Sequence, residues 1–289
     1  MNSAKNLSQR LLKLYPVKAL KEFFDPDTTT QAEQIPEIVN GHPFNKIKNF
    51  ALDNYNLTKQ HIFLFKLNKK FVRSKFNSAG FPIPVDQELI QHGGHSFKFL
   101  HKVDFDTTVL NPYEQVTISF YQPIIFSFRN DDLIIQATIL EKNMDSYFSI
   151  GRRVVDSIKQ NGEGIVISDI LDFVRKSGYQ ASSNDLNKGI KALWENKVID
   201  SKYAKWKKDR STTTEVMDEE YTLRDQYPEV YKALIKSPLN KMIFKYKLAD
   251  QTLCNHFTVD PTGGTLNVTI YPETPNQIEN VIREILSNN

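Results

Sequence analysis

Residues 96–140 read, in succession, FKFLHKVDF, QVTISFY, PIIFSF and LIIQATIL, a series of β-rich runs dense in Phe, Ile and Val. No other stretch restricts the fold so tightly. Side chains of that kind suit a pleated, half-buried surface, and the polar Arg129-Asn130-Asp131-Asp132 supplies a turn between the last two runs. The expectation is a mostly antiparallel sheet. Its most apolar window, residues 118–128, is interrupted by Gln122 and Pro123 and is far shorter than the roughly 20 apolar residues needed to span a bilayer. No membrane partner is expected.

Helical spacing frames that sheet. Residues 1–34 read as a helical segment and linker: Leu7, Leu11, Leu12 and Leu14 cluster before Pro16, and DPDTTTQAEQ (25–34) is polar and rich in turn formers. Phe44, Ile47, Phe50, Ala51 and Tyr55 repeat as on a helix, and strands are expected at 61–67 and 71–76. Together with the β-rich runs these form an α+β domain over 35–144. With one cysteine, Cys254, no intrachain disulfide is possible and a reducing compartment follows. No basic-then-apolar leader opens the chain, so an intracellular site, cytoplasmic or nuclear, is expected.

From residue 145 the periodicity becomes helical. Ile150, Val154, Val155 and Ile158 make one stripe, which NGEG (161–164) terminates. Ser168 caps a second predicted helix over 169–176, and Ser182 or Ser183 a third. In the third, Leu186, Ile190, Leu193 and Trp194 recur at i, i+4, i+7 and i+8 and define a buried face. Strands over 199–206 and 215–223 enclose a polar, basic loop, KKDRSTTT.

Three helices followed by a hairpin with a charged tip resemble the winged-helix variant of the helix-turn-helix superfamily, over about residues 147–226. The Leu186/Ile190/Leu193/Trp194 stripe, the KKDRSTTT tip and the Tyr221-Thr222-Leu223 ending carry that resemblance. It implies a winged-helix module at 145–226; three strands and a helix stripe over 227–289 bury themselves poorly alone, so that C-terminal β-rich segment is expected to pack on the 35–144 sheet and leave the module as an insertion. The resemblance also implies that the third helix enters a DNA major groove while the wing touches backbone. Asn184, Asn187, Lys188 and Lys191 would then face bases or phosphates, and Lys202, Lys205, Lys207, Lys208 and Arg210 would hold phosphates. Trp206 would either stack on a base or pack beneath the hairpin. Gly189, costly in mid-helix, suggests a close approach there.

Charge distribution points the same way. Residues 184–210 hold eight Lys or Arg against four acids, whereas 211–289 hold seven against eleven. Local clustering of that kind is the footprint of a polyanion surface. Asp185, Glu195 and Asp218-Glu219-Glu220 oppose it. The expected function is non-enzymatic binding of nucleic acid, DNA rather than RNA, without cofactor. The competing readings are a winged helix that docks a protein, self-association through the β-rich parts, and a metal-dependent nuclease.

The nuclease reading rests on Asp104 and Asp106, on one side of a strand and able to hold Mg²⁺. Glu141 and Lys142 lack the intervening residue that a restriction-type core would need. His92, His95 and His101 lie close in sequence but offer three ligands without Cys, so a loop followed by a strand is expected, with no metal. Thr262-Gly263-Gly264 joins two strands rather than opening a helix, so it reads as a hairpin turn. Beyond it Thr274, Pro275 and Gln277 signal the start of a terminal helix with Ile278, Val281, Ile282, Ile285 and Leu286 on its apolar face.

Overall fold

A computed structural model describes residues 3–83, 88–140, 144–148, 151–207, 212–245 and 252–289. In chain order it forms helices α1 (Ala4–Leu12), α2 (Val17–Phe24), α3 (Gln31–Gly41) and α4 (Phe44–Asp53), then strands β1 (Gln60–Leu67), β2 (Ile90–His92), β3 (Ser96–Leu110), β4 (Glu114–Arg129), β5 (Asp132–Thr138) and β6 (Arg153–Gln160). There follow α5 (Glu163–Lys176), β7 (Ala181–Ser183), α6 (Asn187–Glu195), β8 (Ser201–Lys207), β9 (Thr213–Met217), α7 (Leu223–Gln226) and α8 (Pro228–Lys236). The last elements are β10 (Leu239–Lys245), β11 (His256–Asp260), β12 (Thr265–Val268) and α9 (Asn276–Asn288). The class is α+β with antiparallel sheet.

The chain divides into two compact units, residues 1–58, 72–127 and 137–179 in the first, and 59–71, 128–136 and 180–289 in the second. In the first, β3 pairs with β4 along nearly its whole length, and its other edge takes β2 and then β6. Val103, Phe105, Ile118 and Phe120 pack on Leu11, Leu20, Ile35, Ile47 and Phe50 of the four N-terminal helices. The expected linker therefore lies within this unit: α3 begins at Gln31, and Glu37 accepts hydrogen bonds from the Asp27 N–H and the Thr28 hydroxyl.

Four predictions are corrected here. QVTISFY and PIIFSF form one strand, β4, running through Pro123. The stripe Val154/Val155/Ile158 is strand β6, not a helix, and Ile150 lies outside the described residues. In the helical reading those side chains would be buried, but Val155 and Ile158 are 49% and 55% exposed. β-Branched residues stiffen χ1 and favour the pleat, and the free edge of β3 supplies a ladder from Asp104 to Leu110. The strand expected at 71–76 is likewise a loop with a short 3-10 turn at Arg73–Lys75. The helix expected from 169 starts earlier, at Glu163, with Gly162 as its N-cap and Glu163 complementing the positive helix end.

In the second unit the strands lie in the order β5-β1-β12-β11-β10-β8-β9, with β7 also paired to β1. Side chains alternate across this sheet. Ile62, Leu64, Leu266, Val268, Phe257, Val259, Met242, Ala204 and Trp206 point to one side, where they meet Ile190, Leu193 and Trp194 of α6, Leu234 of α8 and Ile278, Val281, Ile282 and Ile285 of α9. Among the described residues the helix layer covers one face only. Along the other run Met217, Tyr203, Ile243, Thr258, Asn267 and His61, matched strand to strand, and all are half-buried or exposed. The C-terminal segment joins this unit through β12, which pairs with β1.

Candidate nucleic-acid interface

The ten side chains singled out in the sequence do not share one surface. α6 is held into the helix layer by its apolar stripe and by Gly189, where an added Cβ would meet the Ile285 carbonyl oxygen at 2.3 Å. The close approach inferred for Gly189 is made by α9, not by a ligand. Its N–H donates to Asn289 Oδ1 at 3.1 Å.

Asn184 is buried. Its amide donates to Asp132 Oδ1 at 3.0 Å, and its Oδ1 accepts from Asn289 at 3.1 Å. Asn187 donates to Asp185 Oδ1 at 2.7 Å and accepts from the Leu239 N–H at 2.7 Å, tying α6 to β10. Both asparagines spend their hydrogen bonds inside the unit, which corrects their assignment to base edges. Lys188 is exposed and Lys191 half-buried. Desolvation lowers the Lys191 pKa, against the pull of Asp185 and Glu195.

On the hairpin, period 2 divides the predicted wing residues. Lys202 and Trp206 fall on the side of Ala204. Trp206 is buried in the core, so the packing alternative holds and stacking on a base is excluded at that position. Lys202 Nζ donates to the carbonyls of Glu219 and Glu220 at 2.7 and 2.8 Å. The acidic turn meets this lysine through backbone, while Asp218 accepts from the Glu220 and Tyr221 N–H groups and the Tyr227 hydroxyl, which lowers its pKa. The second hairpin strand ends at Met217, and Leu223, expected within it, opens α7. Lys208 and Arg210 lie outside the described residues.

Lys205 and Lys207 point the other way, onto the uncovered face. There the register places Lys205 between Glu215 of β9 and Lys241 of β10, and Tyr203 between Met217 and Ile243. Lys205 Nζ is 3.9 Å from the Glu215 carboxylate. The Tyr203 hydroxyl donates to the same carboxylate at 3.1 Å, and its ring lies 5.9 Å from Lys241 Nζ, within cation–π range. Burial and the adjacent Glu215 carboxylate raise the Tyr203 pKa, so the phenol stays protonated. Among the described residues Lys207 and Lys241 have no carboxylate at ion-pair distance, so this face carries three lysines against one glutamate. Tyr203 and Lys241 were not singled out in the sequence. The alternation of Lys241 with the buried Met242, read with period 2, is the signal for the second.

The other predicted groups are dispersed. Asp104 and Asp106 do stand on one side of β3, and each accepts a hydroxyl from β4 directly opposite, Ser119 and Thr117 respectively. Glu141 and Lys142 lie outside the described residues. His101 Nε2 contacts the Asn161 carbonyl at 2.6 Å, well along β3 from the turn that holds His95. Among the described residues no cluster of His, Cys, Asp or Glu is placed to hold a metal ion. Thr262-Gly263-Gly264 turns β11 into β12, and Gly264 adopts φ +66° between the Leu64 and Asn184 backbones. Cys254 is buried. Comparison with protein-family models, curated proteins and solved structures gives no match.

Proposed function

We propose that this chain is a non-enzymatic nucleic-acid-binding protein that contacts phosphates through the uncovered face of its second unit. The observation that carries the reading is the Lys205–Lys241 pair. Like charges directly opposite on neighbouring strands oppose pairing by about 0.2–1 kcal/mol, and the strand next to them offers one carboxylate to two ammonium groups. Lys207 adds a third exposed ammonium two residues along β8. A polyanion relieves that repulsion and releases its own counterions on binding. The reading does not depend on a winged helix, since β6 stands where its first helix was expected and lies in the other unit.

The test is a salt titration of the full chain against single-stranded DNA, single-stranded RNA and mixed-sequence duplex. Three phosphate contacts predict a slope of log K against log salt of about −2 for single strands and about −2.7 for duplex. Lys205→Gln with Lys241→Gln should weaken binding to every ligand and flatten the slope by about 0.7–0.9 per lysine. Absence of binding at low ionic strength, or binding indifferent to both substitutions, overturns the proposal.

A further inference from the structure

We infer that the ligand of this face is a single strand, whose bases stack on Tyr203 while Lys205, Lys207 and Lys241 hold its phosphates; this rests on the reading above. Three observations favour a single strand over a duplex. The face is built from strands β9, β8 and β10 side by side, and the helix once expected to enter a groove, α6, is packed by Gly189, Ile190, Leu193 and Trp194 on the other side of the sheet. Reading duplex DNA in its major groove requires an inserted helix or ribbon. A sheet face that presents an aromatic ring among lysines suits unstacked bases, which need only a π-face and nearby cations.

The ring is also held in place. Tyr203 sits on the central strand of the three, its hydroxyl anchored to Glu215 on one neighbour and its ring beneath Lys241 of the other. Met217 and Ile243, on either side in the same row, give the platform apolar flanks. A ring pinned at both ends loses little rotamer freedom when a base settles on it. Among the described residues Glu215 is the one carboxylate in these two rows, and it holds the Tyr203 hydroxyl in place.

The experiment measures affinities of the full chain for oligo-dT, oligo-rU and a duplex of equal length, with Tyr203→Phe and Tyr203→Thr beside the parent. The Phe variant keeps the ring and should retain single-strand affinity. The Thr variant keeps the strand-forming β-branch, and an unchanged melting curve verifies its fold. It should lose about 5- to 150-fold in single-strand affinity, the equivalent of about 1–3 kcal/mol per stacked base, with the salt slope unaltered. Duplex affinity should not respond. Preference for either sugar supports the inference, because stacking and phosphate contacts are common to both. If Tyr203→Thr binds single strands as the parent does, or duplex binds more tightly than single strands, the stacking role falls while the lysine dependence keeps the broader reading intact. Failure of all three ligands to bind sinks both.

Discussion

Replacing Gly189 with Ala should destabilise the second unit, although in an isolated helix the same change would stabilise by about 1 kcal/mol. An alanine Cβ would lie 2.3 Å from the Ile285 carbonyl oxygen and 3.2 Å from both its carbonyl carbon and Asn289 Cβ. Backbone cannot rotate aside as a side-chain tip can. α6 and α9 must therefore separate by about 1 Å to restore ordinary contact at about 3.5 Å, and a gap of that size forfeits a quarter to a half of each dispersion contact. The loss falls on Ile190, Leu193, Ile282 and Ile285, all at 2% exposure or less. Overpacking costs about 1–3 kcal/mol, and the Gly189–Asn289 hydrogen bond adds about 0.5–1.5 if it is broken. Against the propensity gain, the net expectation is a loss of about 1–3 kcal/mol. Urea denaturation followed by tryptophan fluorescence reads it directly, because Trp194 and Trp206 both lie in this core. The midpoint should fall with the m-value unchanged. A neutral or stabilising Ala would mean that α6 is not held on α9, and the helix would again be available to a ligand.

Three further outcomes follow from buried polar groups. Burial pushes the His101 imidazole below its ordinary pKa, and the Asn161 carbonyl offsets this only in part. The unfolded chain then binds that proton more readily, so the contribution is intact above about pH 6.5 and lost as pH falls through the depressed folded value. His101→Asn should flatten the decline in stability between pH 7 and pH 5 measured by circular dichroism, and an unchanged slope would count against it. Arg224 binds Asp200 at 2.8 Å and the Trp194 carbonyl at 3.1 Å, with both charged side chains under one-fifth exposed. Arg224→Met should cost about 2–4 kcal/mol by stranding the carboxylate, and adding Asp200→Asn should recover part of the loss; additive losses would argue against a coupled pair. Burial pushes the Cys254 thiol up to about 12, so alkylation of the native protein at pH 8 should be slow and should accelerate along the unfolding curve. Rapid native labelling would contradict that burial.

Where several physical signals agreed, the sequence was legible. The terminal helix combined a Pro-led start with an apolar stripe, and Ile278, Val281, Ile282 and Ile285 are all buried in α9. The α6 stripe was equally plain: Leu186, Ile190, Leu193 and Trp194 are each 2% exposed or less. Val154, Val155 and Ile158 fit helical spacing in the sequence yet form a strand, because two decisive facts are non-local. The partner is the far edge of β3, and the bulge that lets Val154 and Arg153 pair with Val109 and Leu110 breaks strict alternation. Nothing near Val155 announces either. Pro123 misled for the converse reason: a proline marks a strand break locally, yet long pairing from Ser96 to Val109 carries β4 through it.

The fold disperses the described members of the candidate site, for a reason that local charge does not carry. Counting charge along residues 184–210 treats a helix, a loop and a strand as one surface, whereas the fold sends their side chains to opposite sides of a sheet. Period 3.6 sorts the apolar stripe of α6, and period 2 is the rule that sorts the first hairpin strand. Applied to β8, that rule separates Trp206 and Lys202 from Lys205 and Lys207, and the apolar partners of the first pair identify it as the covered side. Register then recruits Lys241 from a strand more than 30 residues downstream, which no local count reaches. Net charge is therefore a property of the segment, while a binding surface is a property of parity and register. On that basis Lys205 and Lys207 of β8 share a face with Tyr203 and with Lys241 of β10, which sets an oriented ring among cations where the linear cluster holds cations alone.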